Sequence, residues 1–360
     1  MTTISIGSAF ESIGNATEGY HSKTFDKFVS LLPTFCERVE SQYIGTRYPS
    51  SVEGFAGKPY DKKLGSVDKY SSDVMIPAFL SAYTSMPGRS LDLLPAITRL
   101  LPNWTVHYSG LSKLPWFREK FKSFNINHAY RSIYSVGTYN SYSNFMAYMN
   151  GLGYIFDSAN NPVPHSMFDI SQVSIQESFS PLLGVDATFN NNMTARVEYR
   201  QTRNLSLSMT SVQLNEMQSK DWVVGLGYKV NDFNLFGFLE PRRRPVKVKR
   251  NQSNQADTSS DNRSTFTNRR SGVNRDLNLR LDFSFRRQAS LTRDIATITS
   301  AASSGNTAFK LSFLADYTLN RLLTMSFYYD RQTNNPLLSS SSYPTTTQDF
   351  GLSIKFSLTR

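Results

Sequence analysis

The run from Asp276 to Arg286, DLNLRLDFSFR, constrains this chain more than any other stretch. Every odd position is Leu or Phe, and every even one is charged or polar. A strand sends alternate side chains to opposite faces, so the segment is apolar on one side and ionic on the other; a helix would scatter both kinds around its axis. The same period returns at Phe309, Leu311, Phe313, Ala315, Tyr317 and Leu319, at Leu323, Met325, Phe327 and Tyr329, and at Phe350, Leu352, Ile354, Phe356 and Leu358. Four consecutive two-faced strands are predicted.

Upstream, Trp104–Leu111 alternates through Trp104, Val106 and Tyr108. Phe124–Tyr139 sets Phe124, Ile126, His128, Tyr130, Tyr134 and Val136 against Asn125, Asn127, Arg131 and Ser135. Val173–Phe189 reads as a strand with a bulge at Ser180-Pro181, because proline cannot donate to a ladder. After the turn at 190–192, Met193, Ala195, Val197 and Tyr199 continue the pattern, then Leu205, Leu207 and Met209. Asp221–Val230 groups Trp222, Val224, Leu226, Tyr228 and Val230. Ile4, Ile6 and Phe10 predict a first strand. Lys23–Glu40, interrupted by Pro33, and Ser72–Ser85 carry helical spacing, and 140–172 reads as a long Asn/Ser/Tyr/Gly loop.

Only 39% of the 360 residues are hydrophobic, and no stretch approaches the ~18 apolar residues of a spanning helix. A soluble sandwich and a transmembrane barrel both remain, since each spends half of every strand on apolar residues. The first twenty residues lack the basic start and apolar core of a secretory signal, so a protein bound for the exterior would be a fragment or begin upstream. The single Cys36 excludes an internal disulfide and argues against a thiolate metal site. Of the net charge of +11, +8 lies in 241–275, where ten basic residues face only Asp257 and Asp261.

Loop lengths favour the barrel. Counted back from a periplasmic C-terminus, the outer connections are 332–347, 288–306, 210–220, 140–172 and 11–103, mostly long. The inner ones are 320–321, 231–274, 190–192 and 112–122, mostly short apart from the basic segment. Aromatics sit near the ends of apolar faces, as Trp222 and Tyr228, Phe309 and Tyr317, and Phe350 and Phe356 do. The ending Asp349, Gly351, Ile354 and Phe356 is similar to the assembly signal of outer-membrane barrels, with extra residues after Phe356. The expected fold is all-β: an antiparallel transmembrane outer-membrane β-barrel segment, about ten strands of a larger barrel, with a helical insertion near the N-terminus. Its divisions are 1–103 (first strand and helical insertion), 104–230 (barrel strands), 231–274 (basic, disordered loop) and 275–360 (C-terminal barrel strands). Asp186, Arg196, Glu198, Arg200, Arg280, Asp282, Arg286, Lys310, Asp316, Asp330 and Lys355 share the polar register and are candidate lumen residues.

The strings LPNWTVHYSGLSKLPWFREKFKSFNINHAYRSIYSVGTYNS, VSIQESFSPLLGVDATFNNNMTARVEYRQTRNLSLSMTSVQLNEM and VVGLGYKVNDF followed by DLNLRLDFSFR resemble the C-terminal part of the SprA/Sov family. These are outer-membrane translocons of the type 9 secretion system of Bacteroidetes, tied to gliding motility. The resemblance covers residues 70–360 well and 1–70 loosely. It implies a fragment of a very large single-chain barrel that exports folded cargo proteins, works with a PorV-type barrel partner and a periplasmic plug, and is not an enzyme. The alternatives are a stand-alone small outer-membrane barrel, porin-like or a barrel enzyme, and a soluble β-sandwich binding module.

No catalytic constellation is apparent around His21, His107, His128 or His165, because no spacing couples them to Asp or Ser in a nucleophile motif. Asp157, Asp169, Asp257 and Asp261 lack calcium-loop spacing, and no cofactor is expected. Gly225 and Gly227 lie inside a strand, unlike a nucleotide loop. The basic loop, with Arg242, Arg243, Arg244, Lys247, Lys249, Arg250, Arg269 and Arg270, has Phe266 as its lone aromatic, which argues against nucleic acid. A solvated disordered loop is one reading, since low hydrophobicity and high charge cannot drive folding; contact with anionic headgroups or an acidic partner is the other.

Overall fold

The computed structural model describes residues 6–14, 16–84, 103–148, 151–231, 233, 275–320, 322–338 and 343–357. Its strands are β1 (Trp104–Tyr108), β2 (Phe121–Val136), β3 (Tyr139–Ser141), β4 (Met146–Ala147), β5 (Leu152–Phe156), β6 (Pro162–Ser166), β7 (Phe168–Ile170), β8 (Gln172–Phe189), β9 (Met193–Ser208), β10 (Gln213–Val230), β11 (Asp276–Asp294), β12 (Thr299–Asn320), β13 (Leu323–Pro336) and β14 (Thr345–Phe356). Nine of them form one sheet in the order β1-β2-β8-β9-β10-β11-β12-β13-β14. Every pairing in it is antiparallel. The protein is thus built on a large antiparallel sheet whose edges are β1 and β14.

Nine strands stand where about ten were expected. The alternation of Ile6 and Phe10 belongs instead to a helical turn, α1 (Ile6–Ala9), and its end; Ile4 lies outside the described residues. This segment has no ladder partner to find, because side chains of the sheet take its carbonyls. Arg203 donates to Ser8 O and Gln201 to Ala9 O, both at 2.5 Å, while the Phe10 ring packs on Phe179 at 5.2 Å.

Two predicted outer loops, 210–220 and 288–306, are strand instead. β10 begins at Gln213, β11 runs to Asp294 and β12 starts at Thr299, with only tight turns between. The polarity pattern fades there because the face that is apolar lower down becomes polar, yet the backbone ladder continues. The predicted loop 140–172 also holds structure: β3 pairs with β7, and β4, β5 and β6 form a small sheet, so His165 sits on a strand. The bulge at Ser180-Pro181 is found as a register shift between Phe179 and Leu183.

Both predicted helices form. In α2 (Lys23–Ser41) the Ser22 hydroxyl accepts from Phe25 N at 3.1 Å, satisfying one of the free N–H groups of the first turn. Phe25, Phe28, Leu32, Phe35 and Val39 fall on one buried stripe. Pro33 is on the exposed side, where the carbonyl it leaves unpaired can meet water, so the helix continues through it. α3 (Ser72–Tyr83) is buried all round through Val74, Met75, Ile76, Ala78, Phe79 and Leu80. A one-turn helix, α4 (Pro115–Arg118), joins β1 to β2. Among the described residues no helix is long and apolar enough to cross a membrane.

α2, α3 and the small sheets make a cap over one end of the large sheet. Its core continues into the sheet through Tyr134, Val173, Ile175, Leu205, Leu207, Leu214 and Ile295. A tyrosine cluster belongs to the same core: the Tyr43 and Tyr154 rings meet edge to face at 5.4 Å, and Tyr60 donates to the buried Glu40 at 2.5 Å. Burial, reinforced by Glu40, pushes the Tyr60 phenol well above its usual range.

Asp73, in the first turn of α3, has its carboxyl pKa raised by burial, with His165 and the Ser166 hydroxyl opposing the shift. A folded-state pKa above the unfolded one means that burying the ionised form costs stability, a cost absent below the unfolded pKa and fully present once pH exceeds the folded one. Asp73→Asn is therefore expected to raise the cap's denaturation midpoint at pH 7. The gain should shrink as the pH approaches 4; a gain independent of pH would show that ionised Asp73 is not the cause.

Candidate functional site

The strand register sorts the large sheet into two chemically distinct faces. One transverse row runs Ala195, Leu226, Leu281, Phe313, Tyr329, Phe350, each residue opposite the next. The row beside it, on the other face, runs Asp186, Arg196, Gly225, Asp282, Ser312, Asp330, Asp349. Because the pleat alternates, residues on β8 to β14 inherit their faces from these rows, with the parity of β12 reversed beyond the shift at Ser290/Leu291.

All eleven candidate residues, Asp186, Arg196, Glu198, Arg200, Arg280, Asp282, Arg286, Lys310, Asp316, Asp330 and Lys355, fall on the polar face. The structure brings several of them into ion pairs. Arg196 and Arg200 both hold Glu198, and Arg196 lies 3.6 Å from Asp186. Asn127 extends this network, donating to Asp186 at 2.8 Å and meeting His107 at 2.5 Å. Further along, Arg280 pairs with Asp282 at 2.6 Å and Arg286 with Asp221 at 2.9 Å. Among the described residues Lys310, Asp316, Asp330 and Lys355 form no ion pair. Gly225 and Gly227 make room on this face: a Cβ at Gly227 would lie 2.5 Å from the Thr194 hydroxyl.

Of the candidate assembly signal, Asp349 and Gly351 point to the polar face and Ile354 and Phe356 to the apolar one. Gly351 has a local reason. The Tyr328 ring from β13 lies across it, 2.7 Å from where a Cβ would stand. The basic loop residues Arg242, Arg243, Arg244, Lys247, Lys249, Arg250, Arg269 and Arg270 lie outside the described residues. Its flanks, Val230 on β10 and Asp276 on β11, are at the end of the sheet that carries the 190–192 turn.

The apolar face has two zones. The lower is a belt bounded by aromatic rows. Tyr199, Trp222, Phe285 and Phe309 are successive neighbours at its upper edge, with Tyr199 and Trp222 rings 4.6 Å apart. Phe121, Phe189, Tyr228 and Tyr317 mark the lower edge. Apart from Tyr317, which is buried against Phe233 at the lower edge, the belt is largely uncovered: Trp222 is 47% exposed, Phe327 42%, and Phe350 on the edge strand 72%.

The upper zone lies under the cap and the N-terminal segment, and it holds charges that the alternation pattern had hidden. Arg203 pairs with Glu177 at 2.6 Å, and Arg293 with Glu216 at 3.0 Å, all four side chains buried. Arg293 also donates to Tyr20 O at 2.6 Å, and Gln218 to Glu11 O at 3.3 Å. Together with the Arg203 and Gln201 bonds, these stitch residues 8–20 along the sheet. The available signal was that Gln201 and Arg203 interrupt the apolar register of β9 between Tyr199 and Leu205.

The histidines are dispersed. His128 meets Leu182 O at 2.6 Å, His165 meets Ser166 O at 3.1 Å, and His21 meets Asp26 at 3.2 Å. Folding brings Asp73, His165, Ser166 and Ser72 together, a grouping that no sequence spacing revealed. The Ser166 hydroxyl donates to Phe168 O at 2.9 Å and faces the Ser72 hydroxyl at 3.2 Å; no imidazole among the described residues is hydrogen-bonded to a serine hydroxyl. Asp157 satisfies the backbone of its own turn. Among the described residues no three His, Cys, Asp or Glu side chains group to hold a metal ion.

No protein-family model matches the chain, and no curated protein matches it.

Glu177→Ala leaves Arg203 buried without its carboxylate and is expected to cost about 3–5 kcal/mol. Replacing the pair by Glu177→Leu with Arg203→Met should recover most of that in a denaturation experiment. A loss larger in the double variant than in Glu177→Ala would show that the hydrogen bonds of Arg203 to Ser8, and not its pairing, carry the stability.

Proposed function

We propose that this sheet is part of the wall of a larger outer-membrane β-barrel, its apolar belt against lipid and its polar face lining a protein-conducting pore. The observation that carries the reading is the bare belt. A sandwich needs a second layer over its apolar face; here the cap covers only the upper zone, and among the described residues only Phe233 and α4 touch the lower edge of the belt. Along β11 the belt runs from Leu277 to Phe285, about 27 Å at ~3.4 Å per residue. Tilted by ~40° it spans about 21 Å along the bilayer normal, and its aromatic edges extend it toward the ~25 Å apolar band of such barrels. A solvated lumen is the setting in which the ionic network of the polar face stays charged at little cost.

The unpaired edges at β1 and β14 are the places where further strands would join, since an exposed edge is a template for pairing. Export of folded cargo, a PorV-type partner and a periplasmic plug rest on the resemblance to the SprA/Sov family. In this role the protein does no covalent chemistry; passage is governed by the shape and charge of the lining. The cap shares a face with the belt, so it stands beside the barrel wall on the lipid side. The basic segment leaves the sheet at the opposite, periplasmic end, where its charge would recruit cargo or acidic partners.

Phe313→Arg is expected to impair assembly by roughly 2–4 kcal/mol, whereas Arg280→Leu should be tolerated. Folding yield into bilayers reads the difference; equal tolerance would contradict the face assignment. In a Cys36→Ser background, Ala296→Cys in the turn at the cap end should react with an impermeant maleimide on intact cells and Asn191→Cys should not. The opposite pattern would invert the topology.

A further inference from the structure

Directly above the upper aromatic row, the next row of the same face runs Gln201, Lys220, Arg287, Thr307 and Asn335 on β9 to β13, each residue opposite the next. Two of the five are cations and none is an acid. Elsewhere on this face the buried arginines have carboxylate partners, Arg203 with Glu177 and Arg293 with Glu216. Lys220 and Arg287 have no such partner among the described residues, and Arg287 is exposed.

Lys220 and Arg287 are directly opposite each other on β10 and β11. Both line a cleft of about 180 Å³ between the sheet and the N-terminal segment, together with Ser12, Tyr20 and Gln218. One residue pair below them, Trp222 faces Phe285, so the cations sit about 7 Å above the aromatic edge, two residues at ~3.4 Å each. Aromatic side chains settle at the level of lipid headgroups. A cation one step further from the hydrocarbon meets phosphate, which guanidinium groups grip with paired hydrogen bonds and a lysine attracts as a point charge.

We propose that Lys220 and Arg287 form a binding site for the phosphate of a lipid headgroup in the leaflet beside the cap. The inference rests on the membrane reading of the belt and adds the ligand class to it. Bound there, a phosphate would bridge β10 and β11 and touch the N-terminal segment, joining the cap to the membrane surface.

The test uses the full chain in nanodiscs or detergent, with bisphosphorylated lipid A, its dephosphorylated form, and inorganic phosphate as probes. Binding of the bisphosphorylated lipid should exceed that of the dephosphorylated form at least tenfold. Lys220→Gln with Arg287→Gln should remove that preference, while Lys310→Gln, on the other face, should leave it intact. Circular dichroism and the melting temperature of each variant establish that it is folded. Equal binding of both lipids would overturn the proposal, and so would inorganic phosphate competing at micromolar concentration, since that would mark a free-anion site. A chain that is monodisperse without detergent and binds none of the probes would overturn the membrane reading beneath it. A detergent-dependent chain without phosphate preference would overturn this site alone.

Discussion

Strand register is the constraint on which the rest depends. From β8 to β14 the pairing keeps Leu281 beside Leu226 and Phe313, and Asp282 beside Gly225 and Ser312. A slip of one residue in any pair would place leucines among the ion pairs and arginines in the belt. With the belt against lipid as proposed, its burial, at about 25 cal/mol per Å² removed from water, and solvation of the polar face would reinforce the same alignment. Where the chain departs from simple pairing, at Phe179/Leu183 and at Ser290/Leu291, residues on either side of each shift keep belt and cap contacts on one face.

Above the belt the same face is used differently. The cap presents a packed apolar core to Val173, Ile175, Leu205 and Leu207, but next to it the N-terminal segment is held by buried charges. Ion pairs of this kind add little net stability against an apolar equivalent, because desolvation offsets their attraction. What they supply here is position. Arg203 and Arg293 each meet both a carboxylate and a backbone carbonyl, which fixes where an irregular strand of chain lies over a sheet that offers it no ladder. We suggest that this polar seam sets where the belt ends and water begins.

Much of this was legible in the sequence, for a physical reason. Period-two alternation is a local property, so Leu277–Phe285, Phe309–Tyr317 and Met193–Tyr199 could be assigned faces before any pairing was known, and α2 and α3 declared themselves by spacing. The upper halves of β10, β11 and β12 were not legible. There both faces carry polar residues, one toward solvent and one toward the buried pairs under the cap, and alternation vanishes although the ladder continues. The helical turn at Ile6–Ala9 mimicked a strand over too few residues to separate the two periods. Glu177–Arg203 and Glu216–Arg293 join distant residues, and only the fold could show them. The eleven polar candidates could be placed on one face because that placement follows from register alone.

The central claim is that alternate residues of one strand meet lipid and water. Nitroxide labels placed singly from Leu277 to Arg286 in bilayer-reconstituted protein test it most directly, by comparing collision with oxygen, which concentrates in hydrocarbon, and with a water-soluble nickel chelate. The account predicts a period of two, with oxygen favoured at 277, 279, 281, 283 and 285 and nickel at the positions between. Uniform exposure to nickel, or an alternation of opposite phase, would contradict it.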